Sequence, residues 1–429
     1  MKKINIGLLG FGTVGSGVTS ILQKNSYDIN TRTGSEIKVK RALVQDLTKK
    51  RPENEDILLS DKANDILDDP EIDIIVEVMG GIEPARTYII TALNNGKNVV
   101  TANKDLLAAH GKELLEVASK NKRDLYFEAS VAGGIPIIEA LRKSLTANRV
   151  SSLIGIINGT TNYILSAMTD QGRDYTEVLQ EAQELGYAEA DPTSDVEGLD
   201  AARKLAILSS LAFNTRVTID DVFAEGISKV SKEDIKYADE LGCVIKLLAI
   251  AKNQEEGIEV RVHPALLPRN HPLATVSGVY NAIYVVGDAV GETMFYGKGA
   301  GSLPTGSAVV ADIMQIARNM ESQAVGLTNC NCYRNYPIKS SDNFTTGYYI
   351  RVKVKDEPRV FASLALFFAE AGISFASIIQ KPRSNEKAEI VLVTHPCKES
   401  QLRQTLNSLN SYSKLDKIYN VIRMETNGF

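Results

Sequence analysis

Residues 4–22 read INIGLLGFGTVGSGVTSIL. Ile4 to Leu9 is apolar enough for a strand buried on both faces, as in a parallel sheet. It runs into Gly10-Phe11-Gly12-Thr13-Val14-Gly15, and then into a segment with Val18, Ile21 and Leu22 on one side of a helix. This is G-x-G-x-x-G between a strand and a helix, the setting in which the motif carries meaning. The glycines let the backbone turn tightly and approach a pyrophosphate, and the helix start offers unpaired N–H groups to that anion. The alternative is a glycine-rich turn without a ligand; the context favours a dinucleotide.

Working outward, further strands are expected at Ile37–Val44, Ile72–Val78, Asn98–Thr101 and Leu125–Glu128, with helical stretches between them. That alternation specifies a doubly wound parallel sheet. The second strand, KVKRALVQD, bears on cofactor choice. An acid at its end would hold a ribose hydroxyl, a basic residue a 2'-phosphate. Asp46 comes late for the first role, whereas Arg41 and the run Lys49, Lys50, Arg51 favour NADP over NAD, unless that run is a solvated charge cluster. Lys104, in NVVTANKDLLAAHG, falls just past the C-terminal end of a parallel strand, where ligands bind in open α/β sheets. From position it is either catalytic or the start of an exposed helix.

The stretch GYAEADPTSDVEGLDAARKLAIL, residues 186–208, gathers Glu189, Asp191, Asp195, Glu197 and Asp200 before a helix carrying Lys204. Asp200 and Lys204 are one helical turn apart, on the face that also holds Ile207, Leu208 and Leu211. An exposed ion pair there would mean little. A carboxylate and an ammonium on an apolar stripe are costly unless paired or used, so a buried polar site is expected. The four histidines, His110, His263, His271 and His395, all lie outside this acidic stretch. A proton donor in this stretch would then be lysine, whose affinity for its proton falls when it is partly buried.

The bulk numbers exclude some classes. At 44% hydrophobic and 24% charged residues, the 429-residue chain has the composition of a soluble globular protein of two or three domains. A net charge of −5 without a long basic run argues against nucleic acid. No apolar run is long enough to span a membrane, and Met1-Lys2-Lys3 leads into a strand and turn rather than a signal peptide. Four cysteines, none in a C-x-x-C pair, fit a reducing cytoplasm. Cys330 and Cys332 are close, but no histidine cluster joins them to suggest a metal.

Six segments, in order and spacing, resemble the homoserine dehydrogenase family: GFGTVG at 10–15, TANKDLLA at 101–108, EASVAGGIPII at 128–138, GIINGTTNYIL at 155–165, the acidic stretch at 186–208, and GKGAGSLPTGSAVVADI at 297–313. The resemblance implies reversible reduction of L-aspartate 4-semialdehyde to L-homoserine with NAD(P)H, a step toward threonine, methionine and isoleucine. It makes Lys204 and Lys104 the catalytic lysines and Glu189, Asp200 and Asp195 the substrate-binding acids. It places Phe11, Gly12, Thr13, Val14, Arg41, Lys104 and Gly306 along the cofactor. It also implies a sodium ion on Glu128, Val131, Gly133 and Ile135. The domains it implies are a Rossmann-type unit at 1–134, completed by a helix at 305–325, and a central α+β substrate and dimerisation domain at 135–304, giving a homodimer or higher homo-oligomer. Competing readings are a non-catalytic nucleotide-binding sensor of amino acids and a dehydrogenase for another small aldehyde; Lys104, Asp200 and Lys204 speak against the sensor.

Residues 326–346 are polar and read as a linker. Beyond them, 347–429 shows the order βαββαβ, with DEPRVFASLALFFAEAGIS at its first turn and helix. This resembles an ACT domain, a ferredoxin-like module that senses small molecules, and implies an amino-acid effector such as threonine. Arg359 stands where the family has glycine. It lacks glycine's backbone freedom and adds bulk where a ligand would approach, so a dimerising or purely structural tail is the other reading.

Overall fold

The computed structural model describes residues 1–49, 56–326, 332–383 and 387–425; Lys50, Arg51 and Cys330 lie outside them. The chain divides into two compact units. One comprises residues 1–150, 203–221 and 281–335, the other 151–202, 222–280 and 336–429.

The first unit is built on a parallel sheet whose strands run in the order Leu58–Ser60, Ser35–Leu43, Lys2–Leu9, Ile74–Glu77, Asn98–Thr101, Leu125–Tyr126. The order reverses between Lys2–Leu9 and Ile74–Glu77, which opens a crevice at their C-terminal ends. Ile4, Ile6 and Leu8 on the first strand and Ile74 and Val76 on the fourth are fully buried, as strands covered on both faces require. Only Leu58–Ser60 escaped the sequence reading, being three residues long with two of them exposed. Helix Ser302–Glu321 lies against helix Thr13–Lys24. A Cβ on Gly17 would sit 2.1 Å from the Ser302 carbonyl oxygen, and one on Gly306 would sit 2.9 Å from Gly17. Two glycines thus let two backbones touch.

In the second unit the strands Val150–Ile156, Cys243–Gln254, Gly257–Pro268, Leu415–Met424, Thr345–Lys355, Lys387–Thr394 and Phe375–Arg383 follow one another in space. The last four of these, with helices Val360–Glu370 and Glu399–Asn410, form the expected βαββαβ module. Its closing strand pairs in parallel with the central sheet at Ala265–Arg423 and Leu266–Met424, so the two sheets are one. The polar stretch before the module is laid on the fold as well: the Ile258 N–H donates to the Pro337 carbonyl and the Lys339 N–H to the Ile258 carbonyl.

The junction is charged and buried. Glu259, Arg261 and His263 alternate along Gly257–Pro268, so they share a face; all are at most 2% exposed. Arg261 pairs with Glu259 and Glu425, and Lys252 reaches Glu425 at 2.8 Å. Burial opposes the Glu425 charge, but Arg261 and Lys252 outweigh it and hold the carboxyl below its ordinary range. Burial and neighbouring Arg261 and Arg423 keep His263 far below the usual imidazole value, hence neutral. A second buried group joins helix Lys232–Glu240 to the module: Asp234 accepts from Arg351 Nε at 2.7 Å, Tyr349 Oη at 3.0 Å and Asn420 Nδ2 at 2.9 Å. Arg359 has φ 74° at the start of helix Val360–Glu370, so the left-handed turn the family builds with glycine is kept with an arginine.

Candidate active site

In the first unit, Gly10 (φ 101°) turns so tightly that a Cβ would lie 2.9 Å from the Val78 carbonyl oxygen, while space beside Gly12 is open. Helix Thr13–Lys24 begins at Gly12 without a side-chain cap and without an acid in its first turn. Its first N–H groups and positive dipole end suit a phosphate. Arg41, on the second strand, turns its Nε to Asp69 Oδ2 at 3.1 Å, and Lys40 joins the same carboxylate. Gly306 is buried in the glycine contact with Gly17.

The loops after the fourth and fifth strands are joined by Glu77, which the sequence reading missed. Its carboxylate is fully buried and accepts from Met79 N–H at 2.8 Å and Thr101 Oγ1 at 2.6 Å. Burial pushes it above its ordinary range. Thr101 accepts from the Asn103 N–H, and Asn103 caps helix Lys104–Lys120 through Leu106 N–H at 3.1 Å while donating to the Gly81 carbonyl. Lys104 is therefore the first residue of a helix fixed at both cap and loop. Next to it, Asp105 pairs with Arg203 Nε at 3.0 Å. That pair ties this helix to Leu199–Phe213, the helix of Lys204. Lys104 and Lys204 are both half-buried, and a small apolar pocket between these helices is lined by Leu107, Gly111, Ile207 and Leu211.

Glu128 is 4% exposed. Its two carboxylate oxygens accept the Ile138 and Glu139 N–H groups at 2.8 and 2.7 Å, and its own N–H donates to Asp312. Burial, with Glu139 nearby, pushes the Glu128 carboxyl up to about 7; fully buried Asp312 is pushed well up too. The turn that follows has Ala132 and Gly133 both at φ 55°, with Ile135 bonding back to the Ala132 carbonyl. A Cβ on Gly133 would meet the Gly299 carbonyl oxygen at 2.4 Å, so the GKGAG loop lies on this turn. One buried carboxylate and a turn of backbone carbonyls is an oxygen donor set suited to a hard monovalent cation. Among the described residues no cluster of three His, Cys, Asp or Glu could hold another metal.

In the second unit the acidic stretch is sorted by depth. Glu189 is exposed, Asp195 half-buried and Asp200 buried at 5%. Asn158 Nδ2 donates to Asp195 Oδ1 at 2.7 Å and to Asp200 Oδ2 at 2.9 Å, bringing these two together. Asn158 also caps helix Gly159–Gln171, its side chain accepting from the Thr161 N–H. The expected Leu199–Phe213 helix is present, with Asp200 in its first turn and Lys204 a turn later.

The homoserine dehydrogenase NAD-binding family model matches residues 10–128, the homoserine dehydrogenase catalytic model 136–314, and the ACT model 348–413. A homoserine dehydrogenase of Bacillus subtilis is 46% identical, covering 100% of both chains. That of Corynebacterium glutamicum is 46% identical, covering 99% of this chain and 96% of its own. The chain belongs to the homoserine dehydrogenase family. A solved homoserine dehydrogenase from Thiobacillus denitrificans superposes with a TM-score of 0.95 at 45% identity, covering 100% of this chain and 99% of that one. A hyperthermophilic archaeal homoserine dehydrogenase, solved in complex with NADPH, matches 73% of this chain and 97% of its own at 28% identity and TM-score 0.62. The chain is thus an oxidoreductase with a nicotinamide-dinucleotide-binding domain and a C-terminal ACT domain. Full-length identity to homoserine dehydrogenases disfavours the non-catalytic sensor. Among the described residues no helix is long and apolar enough to cross a membrane.

Proposed function

We propose that the chain catalyses the reversible reduction of L-aspartate 4-semialdehyde to L-homoserine in the cytoplasm, with NADP preferred. The observation that carries the assignment of the lysines is the Asp105–Arg203 pair, which holds the helices of Lys104 and Lys204 side by side. Lys204 donates the proton to the oxygen of the new alcohol, and Lys104 orients the carbonyl. Asp200, one turn before Lys204, orients that lysine and the substrate, with Asp195 beside it. Glu189 takes the substrate ammonium. Phe11, Gly12, Thr13, Val14, Arg41, Lys104 and Gly306 hold the nicotinamide dinucleotide, which supplies or accepts the hydride. Arg41, on the second strand, supports the NADP preference, even though its Nε faces Asp69. Glu128 with the carbonyls of Val131, Gly133 and Ile135 would hold a sodium ion, whose charge offsets the buried carboxylate. The ACT module would take an amino-acid effector such as threonine, and the central sheet would join two copies.

The test is the reduction of NADP and NAD by homoserine in separate cuvettes. Turnover should be faster with NADP and should fall by about 10²- to 10⁴-fold in Lys204→Ala with cofactor binding kept. Near-parental kcat in Lys204→Ala would overturn the assignment.

A further inference from the structure

We propose that Asn158 is a positioning residue for this reaction: its single amide nitrogen fixes Asp195 and Asp200 relative to one another and toward the substrate. The proposal rests on the reading of those two aspartates as substrate-binding acids.

Asn158 is 4% exposed, and every polar position of its side chain is used. Its oxygen accepts from Thr161 N at 2.9 Å and from Thr161 Oγ1 at 2.8 Å. Its nitrogen gives one proton to Asp195 Oδ1 and the other to Asp200 Oδ2. The amide orientation follows from this network, since the reverse would set an oxygen against two carboxylates and an NH₂ against an N–H. Asn, Asp and Ser all serve well at a helix cap. Only an amide both accepts there and donates twice on its other side. The need for asparagine therefore comes from the acids, not from the helix.

Two carboxylates reached by one nitrogen are close enough to repel, and like-charged acids sharing a site tend to share a proton. A donor between them offsets that repulsion and sets their spacing. The helix that carries Asn158 is itself anchored. One turn on, Asn162 accepts from the buried ammonium of Lys246 at 3.1 Å and donates to the Val276 and Tyr280 carbonyls. Burial holds Lys246 down to about 8. The donor is thus presented from a rigid support.

The experiment measures homoserine oxidation by full-length Asn158→Ser and Asn158→Asp from mildly acidic to alkaline pH, with Asp200→Ala alongside. Both Asn158 variants keep an oxygen to cap the helix; Asn158→Ser should melt close to the parent, whereas Asn158→Asp, which sets a third carboxylate beside Asp195 and buried Asp200, should melt lower. In Asn158→Ser, kcat/KM for homoserine should fall about 10- to 100-fold, chiefly through KM, with the dinucleotide KM unchanged. In Asn158→Asp the loss should be larger and should shrink as pH falls, because protonation of a third carboxyl restores a donor. Parental kcat/KM and pH profile in either variant would overturn the proposal, as would a loss shared equally by the dinucleotide KM and the melting temperature. If Asp200→Ala leaves the homoserine KM unchanged, the substrate-binding reading itself fails; if only the Asn158 variants are unaffected, only this proposal does.

Discussion

Glu128 keeps a carboxylate in the interior on two backbone N–H bonds. Its native affinity for protons, at about 7, exceeds the ordinary 4.5, so between these values the native state holds a proton that the unfolded state has released. Stability therefore falls as pH rises through that window, by up to about 3 kcal/mol. Asp312 and Glu77, both raised by burial, slope the same way. Thermal melts in choline chloride should show this decline, and replacing choline with sodium should flatten it. In Glu128→Gln the sodium effect should vanish. A decline of equal size in both salts would refute the cation site. This behaviour is not legible in the sequence: Glu128 is visible there as a residue, but its burial depends on Asp312, 184 positions away. Asn158 is similar, since its partners lie 37 and 42 residues on. Asp200 and Lys204 were legible because they are neighbours on one helix.

At the scale of elements, the crossing of helices Thr13–Lys24 and Ser302–Glu321 is set by Gly17 and Gly306. Gly17→Ala would place a methyl 2.1 Å from the Ser302 carbonyl, a backbone atom that can move only with its helix. Such overpacking costs about 2–3 kcal/mol. The variant should melt several degrees lower and bind the dinucleotide more weakly, because the displaced helix is the one whose start faces the phosphates; an unchanged melt would show that the helices slide freely. Elements were read correctly where period and punctuation agreed: the glycine turn at 10–15, the Leu199–Phe213 helix, the βαββαβ order of the tail. Strand Cys243–Gln254 was missed because CVIKLLAIA is apolar but for Lys246, and such a run serves a covered strand or a buried helix equally. Helix Lys232–Glu240 escaped because its inward face is polar: Asp234 and Tyr237 are buried there, answering Arg351 and Glu389 of the module.

At the scale of the second unit, Glu425 and Arg261 bind the end of the chain to the middle of the sheet. Glu425→Ala would leave the Arg261 charge, 1% exposed, with half its compensation. Loss of a buried partner of this kind costs about 3–5 kcal/mol. Urea unfolding should register that loss as a lower midpoint for the strands of substrate domain and ACT module together, in one transition. Two separate transitions, with only the later residues weakened, would show the two to be independent. The family models at 136–314 and 348–413 mark two modules, but the pairing of Leu266 with Met424 joins them in one ladder.

That ladder has a bearing on how such modules could be exchanged. A module grafted from one chain to another would be cut most simply at the polar stretch before it. Here such a cut would leave the backbone of Gly257–Pro268 without its partner at Ala265 and Leu266, and exposed edge amides are the template on which chains stick to one another. A graft that works would have to bring its own partner for Ala265 and Leu266, with an acid to meet Arg261. The module is therefore exchangeable only together with its socket.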